Sequence, residues 1–283
     1  KFPPKFSLCF AYGSGVKPQL GYAGTTSSDD ELQTSESPNI SKKPKMIDLM
    51  FVVENPYQWH AQNLLQNPSH YSFMRHLGSN VIARFQENYA AGVYCNTLIP
   101  IKDESNNSLL IKYGVTSSKT LVEDLLDWRD LYLSGRLQKP VEIIREPNSS
   151  KVQNALQLNL QSAVHAALLL LPKDFNEFDF YCMITSLSYN GDFRMIFGEN
   201  KNKVMNIVKP QVANFRSLYA PILDVFKSSL NYSLEGDENS NSWQQDKSSV
   251  VVLQHLNHLP KWPIRRIVRA WNHGRYRSDT EDV

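Results

Sequence analysis

The stretch Phe10-Ala11-Tyr12-Gly13-Ser14-Gly15, followed after a polar interval by Met46-Ile47-Asp48-Leu49-Met50-Phe51-Val52-Val53, decides how this chain reads. Residues 6–12 are mostly apolar and predict a buried strand that stops at Gly13. A strand tip made of Gly and Ser presents backbone N–H groups and a hydroxyl where a triphosphate can sit. The second run is β-rich and apolar except for Asp48, the pattern of a central strand. One inward carboxylate beside such a tip can hold the divalent cation that bridges phosphates. Residues 22–45, between the two, are rich in Ser, Thr, Asp, Glu, Asn and Pro and read as a flexible excursion.

Two neighbouring strands of this kind form the working core of the nucleotidyltransferase fold, whose members move a nucleotide from an NTP to an acceptor. A Gly-rich turn before a partly buried strand Asp gives the same pattern without that chemistry. Gly13, Ser14 and Gly15 are the candidate phosphate cradle, and Asp48 is the candidate metal ligand. The position two residues on, where a second carboxylate would complete the site, is Met50. Glu54 shares the strand face, but at 3.3 Å per residue it stands roughly 20 Å away, too far to share one ion. The second metal ligand is therefore missing, supplied from elsewhere, or replaced by nucleotide oxygens and water.

Further along, residues 57–90 read as helical, with Trp59, Leu64, Leu65, Phe73, Leu77, Val81, Ile82 and Phe85 at roughly helical spacing. Trp59-His60 and His70-Tyr71 read as cleft-edge pairs. Residues 92–101 and 109–115 predict a strand pair around a polar turn. Lys112, in that apolar strand next to Gly114, either snorkels outward or faces an anion. Ser117-Ser118 caps an amphipathic helix carrying Leu121, Val122, Leu125, Leu126 and Trp128, with Glu123, Asp124 and Asp127 between. Arg136 and Lys139 form a compact cationic pair before a short strand at 137–144, solvated by default and otherwise anion-binding.

From Ser150 the pattern becomes helical, over 152–171 and again over 174–187. Short strands are predicted at 192–197 and 204–208, with Asp192 and Arg194 facing the same way. Helix, helix and ribbon in that order suggest a winged-helix-like domain. The chain thus reads as α/β (α+β): a nucleotidyltransferase domain over 1–140, a winged-helix-like domain over 141–228, and a tail over 229–283. Residues 235–248 read as a polar linker. Trp262, Ile264, Ile267, Val268 and Trp271 fall on one face of a tail helix, while Lys261, Arg265, Arg266 and Arg269 cover the rest. That is the pattern of an interfacial membrane helix, or of a helix docked on the protein's own core.

The totals agree with an ordinary globular protein. The 283 residues carry a net charge of +2, too weak a field to name a partner. Cys9, Cys95 and Cys182 are widely spaced and odd in number, which excludes a disulfide framework or a metal cluster and favours a reducing compartment. No apolar run reaches the length of a bilayer span. The chain begins at Lys1, and a targeting segment is expected upstream of it.

Taken together, Phe-Ala-Tyr-Gly-Ser-Gly-Val, Ile-Asp-Leu-Met-Phe-Val-Val-Glu-Asn-Pro, Ile-Lys-Tyr-Gly-Val, Gly-Arg-Leu-Gln-Lys-Pro-Val, Ser-Tyr-Asn-Gly-Asp-Phe-Arg-Met and Asn-Lys-Val-Met-Asn-Ile-Val-Lys-Pro resemble the mitochondrial translocator assembly and maintenance family. These are the mitochondrial CDP-diacylglycerol synthases, peripheral phosphatidate cytidylyltransferases of the matrix face of the inner membrane. The likeness covers residues 6 to about 220 and the basic tail helix. It implies that CTP and phosphatidic acid give CDP-diacylglycerol and pyrophosphate with Mg²⁺, feeding cardiolipin synthesis. It places catalysis on Asp48, Ser14 and Lys112. Substrate contacts are assigned to Gly13, Ser14, Gly15, Tyr113, Arg136, Lys139, Asp192, Arg194 and Lys203, with Asp48 on the metal. A headgroup pocket is expected between the two domains, anionic lipid is the expected partner of the tail helix, and no nucleic acid is expected. The alternatives are a nucleic-acid-directed nucleotidyltransferase, which would show strongly salt-dependent binding, and a non-enzymatic assembly scaffold, favoured if Met50 means lost metal chemistry.

Overall fold

The computed structural model of the protein describes residues 2–20, 46–102, 108–189, 202–234 and 242–273. The chain forms two compact units, residues 1–117 with 141–146, and residues 118–140 with 147–283.

The first unit is built on a five-stranded mixed sheet of β1 (Leu8–Tyr12), β2 (Met46–Val53), β3 (Tyr94–Lys102), β4 (Ser108–Ser117) and β5 (Glu142–Arg145), in the order β3-β4-β2-β1-β5. β2 lies at its centre, antiparallel to β1 and parallel to β4. Strand alternation sorts its side chains. Phe51 and Val53 enter an apolar cluster with Cys9, Trp59, Ile99, Ile111, Tyr113 and Val115, while Asp48 and Met50 take the other face. Burying each of the large side chains in that cluster stabilises the unit by about 1.5–3 kcal/mol.

The helical region expected over 57–90 is two helices, α1 (Pro56–Gln66) and α2 (Gly78–Asn88), with short 3-10 turns at Pro68–His70 and Phe73–Leu77 between. Pro56 does not merely end β2. It occupies the first turn of α1, and the Asn55 side chain accepts from Gln58 N–H at 3.1 Å to cap it. Trp59, His60 and Tyr71 are buried rather than at a cleft edge. His60 bonds Tyr71 Oη at 2.8 Å and Gln86 Oε1 at 2.9 Å, and burial pushes its imidazole down to about 4. Asn63 Nδ2 donates to both Tyr71 Oη and Tyr113 Oη at 2.9 Å.

The second unit contains α3 (Ser118–Asp127), α4 (Leu133–Leu137), α5 (Ser150–Leu170), α6 (Glu177–Leu187), α7 (Lys203–Val208), α8 (Val212–Leu223), α9 (Ser249–Asn257) and α10 (Lys261–Asn272). A small antiparallel sheet joins β6 (Asp174–Asn176), β7 (Leu230–Asn231) and β8 (Ser242–Gln245) in the order β6-β8-β7. The core gathers Trp243, Phe180, Tyr181, Phe215 and Tyr219. Glu177, fully buried, is held by Arg216 through two bonds of 2.9 and 2.7 Å and by Tyr181 Oη at 2.9 Å, so its charge is paired rather than stranded.

Several expected elements differ. Residues 204–208 are helix α7, not a strand; consecutive Ile207 and Val208 are both buried, which a helix packed on a core allows. The polar linker over 235–248 contains β8, whose Trp243 has no exposed surface and donates Nε1–H to Ser233 O at 2.8 Å. Residues 174–176 are a strand before α6 begins, with Asn176 capping Asp179 N–H at 2.7 Å. The strand expected over 137–144 is shorter and later, at Glu142–Arg145. Asp124, expected on the polar face of α3, is buried. Its carboxylate accepts from the N–H groups of Asp130, Leu131, Leu133 and Ser134 and from Ser134 Oγ, all within 3.1 Å. This clamp holds the link to α4, in which Trp128 and Leu131 take φ of +53° and +51°.

Candidate active site

Sheet register sets the site. Asp48 on β2 stands opposite Tyr12 on β1 and opposite Lys112 on β4. Lys112 Nζ lies 3.9 Å from Asp48 Oδ1, with the two side chains 32% and 19% exposed. A cation and a carboxylate therefore share a part-solvated face of the central strands, where an anionic ligand and its counter-ion can both be met.

β1 ends in a turn that only glycine builds cheaply. Gly13 takes φ +80°, and its carbonyl accepts from Val16 N–H at 3.1 Å and Lys17 N–H at 3.0 Å. A Cβ at Gly13 would stand 3.0 Å from Asp48 Oδ2, so the bare backbone passes directly over the carboxylate. A Cβ at Gly15 would run into the carbonyl oxygen of Met46. Ser14 sits exposed between them at the tip. Lys17, just after the turn, is tied by Nζ to Glu142 Oε2 at 2.9 Å on β5; the exposed Glu142 carboxyl is held below its ordinary range by that bond. Sequence reading missed Lys17, although a lysine two residues beyond Gly-Ser-Gly is a visible signal.

The structure thus brings Gly13, Ser14, Gly15, Asp48 and Lys112 together in the first unit. Tyr113 is placed elsewhere. As the neighbour of Lys112 on a strand it points to the opposite face, is fully buried, and its hydroxyl meets Asn63 at 2.9 Å and His70 at 3.0 Å. Met50, two residues from Asp48, has no exposed surface, and a Cβ on Gly114 would press against its Sδ and Cε at 2.8 Å. A thioether packed this way fills core; it is not a ligand for a hard cation. Among the described residues no group of three or more His, Cys, Asp or Glu side chains could hold a metal ion.

Arg136, Lys139 and Lys203 belong to the second unit. Lys139 Nζ donates to Ser188 Oγ at 2.8 Å and to Gly135 O, and lies 5.3 Å over the Tyr189 ring. Desolvation, with Arg136 nearby, pushes its amine down to about 7. The residue as a whole is half-buried. Arg136 lies over the Tyr132 ring at 5.2 Å. Lys203 opens α7 and is half-buried. Asp192 and Arg194 lie outside the described residues.

Among the described residues no helix is long and apolar enough to cross a membrane. α10 has no buried residue; Ile267 and Trp271 are exposed, and Arg265 lies 5.6 Å over the Trp262 ring.

A family model described as mitochondrial phosphatidate cytidylyltransferase matches residues 1–283. Curated relatives of that name include one from Drosophila melanogaster, 45% identical over 270 residues that cover 93% of this chain and 75% of the relative. One from Xenopus laevis is 49% identical over 260 residues, 92% of this chain and 70% of the relative. The human relative is 45% identical over 261 residues, and the chain spans only 52% of its length. A match across the whole chain, with relatives at this identity, shows that the chain belongs to the mitochondrial phosphatidate cytidylyltransferase family.

Proposed function

We propose that this chain transfers the cytidylyl group of CTP to phosphatidic acid, yielding CDP-diacylglycerol and pyrophosphate, and that its first unit is a nucleotidyltransferase core. The observation that carries the reading is Asp48 standing under Gly13 and beside Lys112 on the central strands. A phosphate oxygen of phosphatidate forms a bond to the α-phosphorus of CTP, and the α–β phosphoanhydride bond breaks. The attacking group is already anionic, so no strong general base and no covalent enzyme intermediate is needed. The Gly13–Gly15 turn offers backbone N–H groups to the triphosphate, and Lys112 neutralises charge on the departing pyrophosphate.

Mg²⁺ fits the donor set at its lower limit. One carboxylate, Asp48, is available, and Mg²⁺ characteristically takes one or two carboxylates with substrate phosphates and water completing the octahedron. When bound, the ion would supply neutralisation of phosphate charge, with Asp48 holding it. On the second unit, Arg136, Lys139 and Lys203, with Asp192 and Arg194, are the residues we assign to substrate contacts, and the winged-helix-like reading belongs to the same proposal. The exposed Ile267 and Trp271 beside the exposed Lys261, Arg265, Arg266 and Arg269 support a role for α10 as the anchor that brings the enzyme to anionic lipid, at about 1 kcal/mol per basic side chain near the surface. The matrix face of the mitochondrial inner membrane, and supply of cardiolipin synthesis, complete the reading.

The test is pyrophosphate release from CTP with Mg²⁺ and phosphatidic-acid vesicles, for the unaltered chain and for Asp48→Asn. Release that needs both the lipid and Asp48 supports the proposal. No release from a folded, vesicle-bound protein overturns it and favours the scaffold reading that Met50 suggests.

A further inference from the structure

Beyond α10, the first unit carries an apolar row of its own. Phe73, Leu77, Val81, Phe85 and Tyr89 recur every four residues from the 3-10 turn before α2 to the end of that helix. They are 71%, 49%, 42%, 43% and 64% exposed. Within α2, spacing by four puts Val81 and Phe85 on one face; Phe73 and Leu77 come from the 3-10 turn ahead of Gly78, and Tyr89 follows the last turn of the helix. This row does not attach α2 to the unit, because Ile82, Ala83 and Gln86 do that. Phe85 and Tyr89 stack on each other with centroids 5.4 Å apart. Large apolar side chains left contiguous in water mark a contact surface.

We propose that this row is a second lipid-contact surface, by which the first unit rests on an anionic bilayer independently of α10. The inference depends on the reading that the acceptor substrate is a membrane lipid. Its occupant follows from charge and shape. Arg75, His76 and Arg84 flank the row, all exposed. Glu87 is the single acid between residues 68 and 89. Its carboxylate is engaged, accepting from Gln86 Nε2 at 3.1 Å and Ser117 Oγ at 3.3 Å. Arg75 and Arg84 outnumber it, so the net charge along this stretch is cationic, matched to acidic headgroups and not to a basic partner. Three of the five side chains are aromatic, the type that settles at the headgroup level of a bilayer. The row sits on the unit that holds Asp48 and Lys112, so the contact would bring the catalytic sheet, and not only the tail, to the lipid.

Two measurements on the full chain test this. Co-sedimentation is compared for the unaltered protein and for Phe73→Gln with Phe85→Gln, using phosphatidylcholine vesicles with and without phosphatidic acid. The row predicts a fall in partition of about tenfold or more for two large apolar side chains removed from the interface, with α10 intact. Turnover of CTP is then followed with a short-chain, water-soluble phosphatidate, where the variant should match the unaltered protein while losing rate on vesicles. Equal partition and equal vesicle turnover would overturn the proposal. So would a change in oligomeric state on gel filtration, which would assign the row to a second copy of the chain. If the unaltered chain turned over neither substrate, the cytidylyltransferase reading would fall, while the partition measurement would still report on the row.

Discussion

Asp48 and Lys112 occupy registered positions on adjacent parallel strands, with Nζ 3.9 Å from Oδ1. That separation is long for a structural ion pair and leaves both groups part-exposed. Lys112→Met should lower cytidylyl transfer by about 10²-fold, in the range seen when one preorganised charge-stabilising group is removed. Stability should change by less than about 1 kcal/mol, the worth of a part-solvated pair. Steady-state kinetics beside a thermal melt would separate the two effects; equal loss of both would make Lys112 structural.

Gly13→Ala tests the turn. Its φ of +80° costs a side-chain-bearing residue about 1–2 kcal/mol. The new methyl, 3.0 Å from Asp48 Oδ2, should also displace the carboxylate and weaken CTP binding. Gly15→Ala meets backbone at Met46 and should destabilise more. Denaturant midpoints and CTP titration calorimetry give both readouts.

Asp124→Ala removes the acceptor of four backbone N–H groups in the α3–α4 link. Leaving buried donors unmade should cost about 3 kcal/mol or more. Glu123→Ala, one residue away but exposed, should stay within about 0.5 kcal/mol. Urea unfolding of the two variants side by side decides it.

Acid should loosen the second unit through its histidines. His165 Nδ1 and His255 Nδ1 are 2.8 Å apart and buried, and the His258 ring stacks on His165 at 4.6 Å. Burial, helped by the neighbouring imidazoles, pushes His165 down to about 3; burial, with Lys247 and His258, lowers His255. Groups depressed below their unfolded value of about 6.5 bind fewer protons folded than unfolded. Their stabilising effect is thus complete above that pH and drains away as pH falls below it. The melting temperature should drop as pH falls from about 6.5 towards about 3, and His165→Gln should flatten that slope. A pH-independent melt would show that these rings do not govern it.

The sheet was legible where a run had one purpose. Met46–Val53 reads as a central strand because nearly every residue in it is apolar, and the antiparallel β3–β4 pair reads from its polar turn. Asp48 and Lys112 come together because they lie in register on β2 and β4, and Gly13 joins them from the turn that ends β1, the strand paired with β2. Legibility failed where polarity and burial part company. Asn63, His60 and Gln86 are fully buried because they satisfy one another and two tyrosines, while Leu65 on the same helix as His60 is 85% exposed. Periodicity counts apolar residues and cannot see a hydrogen-bonded polar core. Trp243 was hidden in the same way, a single buried ring in a polar run held by partners distant in sequence.

The outer strand of the first sheet, β5, is contributed by residues 141–146, after the chain has left that unit at Ser117 and built α3 and α4. A polypeptide ending at 117 would therefore hold Gly13, Asp48 and Lys112 and still lack the neighbour of β1. The backbone groups of Cys9, Phe10 and Ala11 that pair with β5 would become an open border, ready to recruit a strand from another molecule. Lys17 would lose Glu142 at the same cut. Shortened forms of this protein should accordingly fail by self-association before they fail by chemistry, and the smallest soluble catalytic fragment must run past Arg145.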